Sequence, residues 1–149
     1  MRAVVDASVL VASLLPTDKE GPWARSIVAG YQLAAPEHVL VEACNVLRRL
    51  EQAGSVSRLE ATLGFRTLLR FDLKLFQFAP FAKRIWTLRA NLTSYDAWYV
   101  AVAEELDCPL CTLDGRLSRA PGPLCDIITP PSEFPELLVH QSADGSADQ

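Results

Sequence analysis

A chain of 149 residues, half of them hydrophobic, has the size and composition of one compact domain with a substantial core. No apolar run approaches the ~20 residues of a membrane span, and the opening MRAVVDASVLVASLL lacks the charged start and cleavage region of a secretory signal, so a cytoplasmic protein is expected. The net charge of -4 comes wholly from Glu133, Glu136, Asp144 and Asp148 in a tail without Lys or Arg, and 11 of the 14 basic residues are Arg, so acidity does not exclude a nucleic-acid partner.

Arg2 to Val5 is a short apolar run that stops at Asp6-Ala7-Ser8, a strand delivering an acid to a turn. Val9 to Leu15 predicts a short apolar helix halted at Pro16. Thr17 to Gly21 reads as loop, and Pro22 takes a first-turn position in a helix through Ala29 that Gly30 ends. Tyr31 to Ala35 supplies a second strand. Pro36 then opens a long helix to Ala53, closed by Gly54. On that helix Val39, Cys44, Val46, Leu47 and Leu50 are candidate core positions, whereas Glu42, Asn45 and Arg49 share a polar stripe.

Ser57 and Glu60 form a capping box that starts a basic, amphipathic helix to about Arg70. Asp72 to Phe78 is an extended connector or short strand, and helix resumes around Phe81 to Ala90. Thr93 and Asp96 make another capping-box-like start, after which Tyr95 to Leu106 reads as a helix buried on nearly every side. Pro109 to Leu113 is a buried strand ending in Asp114-Gly115, an acid entering a turn. Cys125 to Ile128 adds one more short strand, and Pro130-Pro131 ends regular structure. From Gln141 the chain is polar and expected to be disordered.

Alternating strands and helices imply an α/β domain over residues 1–130 with a mostly parallel sheet, followed by an acidic tail over 131–149. Ligand sites in such sheets lie at the carboxyl ends of the strands, where Asp6 and Asp114 both fall. Neither GxGxxG nor GxxxxGK[ST] is present, which leaves dinucleotide and Walker-type nucleotide binding without support. Cys44, Cys108, Cys111 and Cys125 read as small core residues, since Cys108-Pro109-Leu110-Cys111 lacks the second pair or nearby histidines of a zinc site.

Four acids stand out: Asp6 after the first strand, Glu42 within a helix, Asp96 at a helix start and Asp114 after a late strand. Each alone has an ordinary structural reading as a helix-start acid, a turn residue or part of a solvated face. Gathered together they would repel, and a divalent metal removes that objection. Oxygen-only ligands favour Mg2+ or Mn2+, with Ser8 and Thr112 able to support a carboxylate, and such sites promote phosphodiester hydrolysis.

These residues resemble the PIN-domain ribonucleases, most closely the VapC-type toxins of bacterial toxin–antitoxin pairs. The likeness rests on Val4-Val5-Asp6-Ala7-Ser8, on Glu42 in Leu40-Val41-Glu42-Ala43, on Asp96 in Tyr95-Asp96-Ala97-Trp98-Tyr99-Val100-Ala101, and on Asp114 in Thr112-Leu113-Asp114. The resemblance implies a PIN-like three-layer sandwich, with a central sheet of four to five strands flanked by helices. It also implies that Asp6, Glu42, Asp96 and Asp114 hold Mg2+ or Mn2+ for cleavage of RNA, with Ser8 and Thr112 in support, and that the partners are a second copy of the chain and a small cognate antitoxin. Trp23, Ile27, Phe65 and Leu69 are candidate partner contacts. Two alternatives stand beside this: a PIN-like module that binds RNA or protein without cutting, and a phosphotransfer enzyme using Asp6. The latter wants a second acid where this chain has Ser8. His38 and His140 form no evident acid–base pair, so attack by an activated water is expected, giving a 5′-phosphate and a 3′-hydroxyl.

Overall fold

The computed structural model describes residues 1–132, so the expected disordered end from Gln141 and nearly all of the acidic tail lie outside the described residues. Five strands make one sheet: β1 (Arg2–Val5), β2 (Gln32–Pro36), β3 (Leu73–Phe76), β4 (Leu110–Cys111) and β5 (Ile127–Ile128). All neighbouring pairs are parallel, in the order β3-β2-β1-β4-β5. The chain builds outward from β1 to β3, then crosses back to lay β4 against the other side of β1. The direction of winding therefore reverses between β1 and β4, and a crevice opens there at the strands' carboxyl ends.

Seven helices connect the strands: α1 (Ala7–Leu14), α2 (Gly21–Gly30), α3 (Val39–Gln52), α4 (Arg58–Leu68), α5 (Ala82–Thr87), α6 (Ser94–Glu105) and α7 (Gly115–Arg119). Helix α1 packs against α2, α3 and α4, while α5 packs on α6, which in turn lies against β1, β2 and β4. Each face of the sheet thus has its own helical layer. Ala3, Val4 and Val5 of β1 are wholly buried as a result, the mark of a central parallel strand covered on both faces. No helix among the described residues is long and apolar enough to cross a membrane.

Several boundaries differ from the sequence reading, each for a local physical reason. Helix α1 begins at Ala7 rather than Val9, because the Asp6 side chain caps it by accepting from the Val9 N–H at 3.2 Å. Gly30 lies inside α2. Pro36 does not open α3 but ends β2. The register pairs Val4 with Ala34, so Pro36 lies beyond the end of β1 and its missing N–H costs no bond on that side. The Glu37 N–H then donates to the Phe76 carbonyl, and α3 starts only at Val39. The Asp72 to Phe78 stretch contains the edge strand β3.

The helix expected over Phe81 to Ala90 is instead a 3-10 turn, Ala79–Phe81, followed by the short α5. The Asp114-Gly115 turn is the start of α7, with Asp114 accepting from the Arg116 N–H at 2.9 Å; Asp suits a cap and a turn equally well. On α3 the core positions are Val39, Ala43 and Leu47, which rotates Cys44 out to solvent, so it is not a core residue. Trp23 and Ile27 are buried in the core and unavailable to a partner, whereas Phe65 and Leu69 are exposed.

Candidate active site

The crevice between β1 and β4 is stitched by two hydroxyl groups. Ser8 donates to Asp6 Oδ1 at 2.5 Å and accepts from the Leu113 N–H at 3.2 Å. Thr112, fully buried at the end of β4, donates to Asp6 Oδ2 and accepts from the Asp114 N–H at 3.0 Å. Each hydroxyl accepts a hydrogen bond from a backbone N–H after β4 and donates one to the acid after β1. Asp6 is thereby held by both oxygens, and Asp114 is carried to the neighbouring position by the same link.

Glu42 comes from the first turn of α3 and has a neighbour at each oxygen. Tyr99 of α6 donates its hydroxyl to Oε2 at 3.0 Å, and His38 Nε2 stands 2.7 Å from Oε1. The His38 approach is close without the alignment of a hydrogen bond, and Nδ1 has no partner among the described residues. Burial, followed by the charges of Glu42 and Asp6, raises the Tyr99 phenol, so it stays protonated and donates. Asp96 sits in the first turn of α6 behind the Thr93 cap, whose hydroxyl accepts from the Asp96 N–H at 3.2 Å.

Burial pushes the Asp6 carboxyl up to about 6, with the charge of Glu42 adding to it and the bonds from Ser8, Thr112 and Val9 opposing. Asp96 is raised first by burial and then by the charges of Asp114 and Glu42, with Thr93 and Arg116 in partial opposition. These cross-influences place all four sequence-predicted acids in one electrostatic neighbourhood. Yet no three His, Cys, Asp or Glu side chains among the described residues stand at the spacing of a finished metal cage. What fits a hard divalent cation is the donor chemistry: oxygen ligands only, and a local excess of negative charge that a cation would relieve. Tyr99 and His38 were not assigned to the site from sequence; the i, i+4 spacing of His38 and Glu42 was the available signal for the latter.

The family model of the PIN domain matches residues 3–123. The chain belongs to the PIN-domain family. It is 38% identical over 128 residues to a VapC ribonuclease of Mycobacterium bovis, an alignment covering 86% of this chain and 98% of that one. Ribonuclease VapC12 of Mycobacterium tuberculosis is 34% identical over 119 residues, covering 80% and 92%. Among solved structures, the VapC20 toxin of Mycobacterium tuberculosis, described as cleaving the sarcin–ricin loop, shares this PIN fold with a TM-score of 0.61 at 19% identity, covering 78% of this chain and 93% of that one. The VapBC2 complex of Rickettsia felis bound to a promoter DNA fragment matches with a TM-score of 0.60 at 14% identity, covering 87% and 98%.

Proposed function

We propose that this PIN-domain protein is a Mg2+- or Mn2+-dependent endoribonuclease, the toxin of a toxin–antitoxin pair. What supports the reading is that Asp6 and Asp114 follow the strands that flank the switch point, joined through Thr112, while the charge of Glu42 raises both Asp6 and Asp96 and that of Asp114 raises Asp96. Relatives that this chain matches over most of its length bear the name ribonuclease.

In this reading the four carboxylates would hold the cation, drawing closer to share it. When bound, it would supply an activated water for in-line attack and charge to balance the departing 3′ oxygen. The chain's own residues do the rest. Ser8 and the Val9 N–H donate to Asp6 Oδ1 and Thr112 donates to Oδ2, which fixes the carboxylate and leaves Oδ2 the oxygen with spare acceptor capacity. Tyr99 and His38 flank the two oxygens of Glu42 and fix its rotamer. The bond from the Leu113 N–H to Ser8 and that from Thr112 to Asp6 tie the end of β4 to the end of β1.

The antitoxin is proposed to cover the outer face of α3 and α4, where Val41, Leu59, Leu63 and Leu69 are exposed and a groove of about 220 Å3 is lined by Cys44, Leu47, Ala61 and Phe65 together with Arg48, Glu51 and Thr62. The deciding experiment is end-group analysis of RNA cut by the purified protein with Mg2+, with Mn2+ and with EDTA. A 5′-phosphate and 3′-hydroxyl, formed only with metal, are expected. A 2′,3′-cyclic phosphate produced in EDTA would overturn the mechanism.

A further inference from the structure

Of the Lys and Arg side chains among the described residues, Arg116 alone comes within ion-pair reach of any of the four acids. It is the second residue of α7, the helix that Asp114 caps. The Arg116 N–H donates to Asp114 Oδ1 at 2.9 Å, and the guanidinium Nε stands 3.4 Å from the same oxygen. Asp114 Oδ2 accepts no hydrogen bond among the described residues. The guanidinium also acts on a second element, since its charge opposes the rise of Asp96 on α6. One cation thus serves acids from two helices.

This arginine is not held as a clamp is held. Arg84 donates to both oxygens of Glu104 at 2.7 and 2.9 Å, and neither side chain is more than about a third exposed. Arg116 makes one long contact to one oxygen, and its side chain is 88% exposed. A pair of that kind adds little to stability, because water and salt screen it. What remains is the charge itself. Acids that repel one another need a cation, and Arg116 supplies one unit of positive charge to the metal-free set. A divalent ion supplies two and bonds the oxygens directly. The two cations repel each other, so the arginine that steadies the metal-free acids also weakens their hold on the metal.

We propose that Arg116 is a built-in counter-ion of the carboxylate set: it partners Asp114 and Asp96 while they are metal-free, turns to solvent when a divalent cation binds, and so sets the cation concentration at which the site fills. This rests on the metal reading above and goes beyond it, because it assigns a residue whose charge competes with the metal. The exchange leaves the fold untouched. The backbone N–H of Arg116 keeps its bond to Asp114 Oδ1 when the guanidinium leaves, and Oδ2 is open to the ion throughout.

The test is Mn2+ binding to the full chain after chelator treatment, with free Mn2+ read by electron paramagnetic resonance at low ionic strength. Arg116→Met should bind Mn2+ about 2- to 10-fold more tightly than the unsubstituted chain, and the gain should shrink in about 0.5 M KCl. Arg116→Gln should match Arg116→Met, while Arg116→Lys, which keeps the charge, should stay within about twofold of the unsubstituted chain. Arg119→Met removes the same charge one turn along α7 and should also stay within about twofold. Thermal melts show that each variant is folded, and saturating Mn2+ should raise the melting temperature of Arg116→Met more than that of the unsubstituted chain. Unchanged or weaker Mn2+ binding in folded Arg116→Met and Arg116→Gln overturns the counter-ion and leaves the metal site standing. An equal gain in Arg119→Met also overturns it, by assigning the effect to overall charge. Mn2+ binding that is absent from the unsubstituted chain, or untouched by Asp6→Asn, overturns the metal reading and the counter-ion with it.

Discussion

Helix α6 carries two acids in opposite circumstances. Glu104, in its last turn, is raised by burial but then pulled below the usual carboxylate range, because the Arg84 guanidinium donates to both its oxygens at 2.7 and 2.9 Å and the Leu124 N–H adds a third bond at 2.8 Å. Asp96, in the first turn, is also raised by burial, and there the nearby acids Asp114 and Glu42 raise it further. One acid is satisfied by a cation of the protein's own, and it clamps the loop after α7 to the α5–α6 pair. The other is placed among like charges. A carboxylate whose burial and neighbours both worsen its ionisation is a poor structural element, and that contrast supports the role proposed for Asp96.

The sharpest way to break the comparison is to neutralise each side in turn. Asp96→Asn or Asp6→Asn should lower RNA cleavage at saturating Mg2+ by about 100- to 1000-fold, the size expected for losing a few kcal/mol of transition-state charge stabilisation, while circular dichroism stays unchanged. Near-normal rates in both variants would remove the acids from the mechanism.

The two kinds of acid should also impose opposite pH slopes on stability. Asp6 has a folded-state value near 6, above its ordinary 3.8, so its contribution is fully present below 3.8 and is lost as pH rises through 6. Glu104 lies below its ordinary 4.5, so its contribution is present above 4.5 and is lost as pH falls through the lowered value. In chelator-treated protein, urea unfolding should show wild-type stability falling relative to Asp6→Asn by about 1–3 kcal/mol between about pH 4 and pH 7. Excess Mg2+ should shrink that difference, and a difference independent of pH would contradict the assignment.

Smaller effects belong to the supports. Thr112→Val keeps the volume but strips Asp6 Oδ2 of a donor and the Asp114 N–H of its acceptor; a stability loss of about 1–3 kcal/mol is expected, together with reduced cleavage. Arg84→Met should cost about 1–2 kcal/mol, given its partial exposure, and leave cleavage nearly intact. Thermal melts beside single-turnover rates separate the two, and an Arg84→Met variant that loses activity as strongly as Asp96→Asn would erase the distinction between clamp and site.

Much of this was legible in the residues. The Arg2 to Val5 strand, the Ser57 and Thr93 caps and the α/β alternation follow from local chemistry, and the resemblance to PIN domains named the four acids. Pro36 was misread because proline suits a helix start and a strand end alike, and only the register with β1 shows which applies. Cys44 was placed inside because the apolar period of α3 is ambiguous by one position, which the exposed Val41 resolves after folding. Ser8 and Thr112 were read as carboxylate supports, but that Thr112 meets Asp6 and that the Leu113 N–H donates to Ser8 were beyond reach, since these bonds join residues more than a hundred apart in the chain and depend on β4 lying against β1.

That same adjacency of β1 and β4 has a consequence for synthesis. The first acid is made almost at once, but its neighbour across the crevice arrives only after three strands and six helices have been laid down between them. A growing chain that has not yet produced residue 114 holds Asp6 without its Thr112 support and without Asp114 beside it. Under the proposed mechanism the crossing order delays activity: a nascent polypeptide, or one that stops before residue 114, lacks part of the carboxylate set that the cleavage of RNA would need.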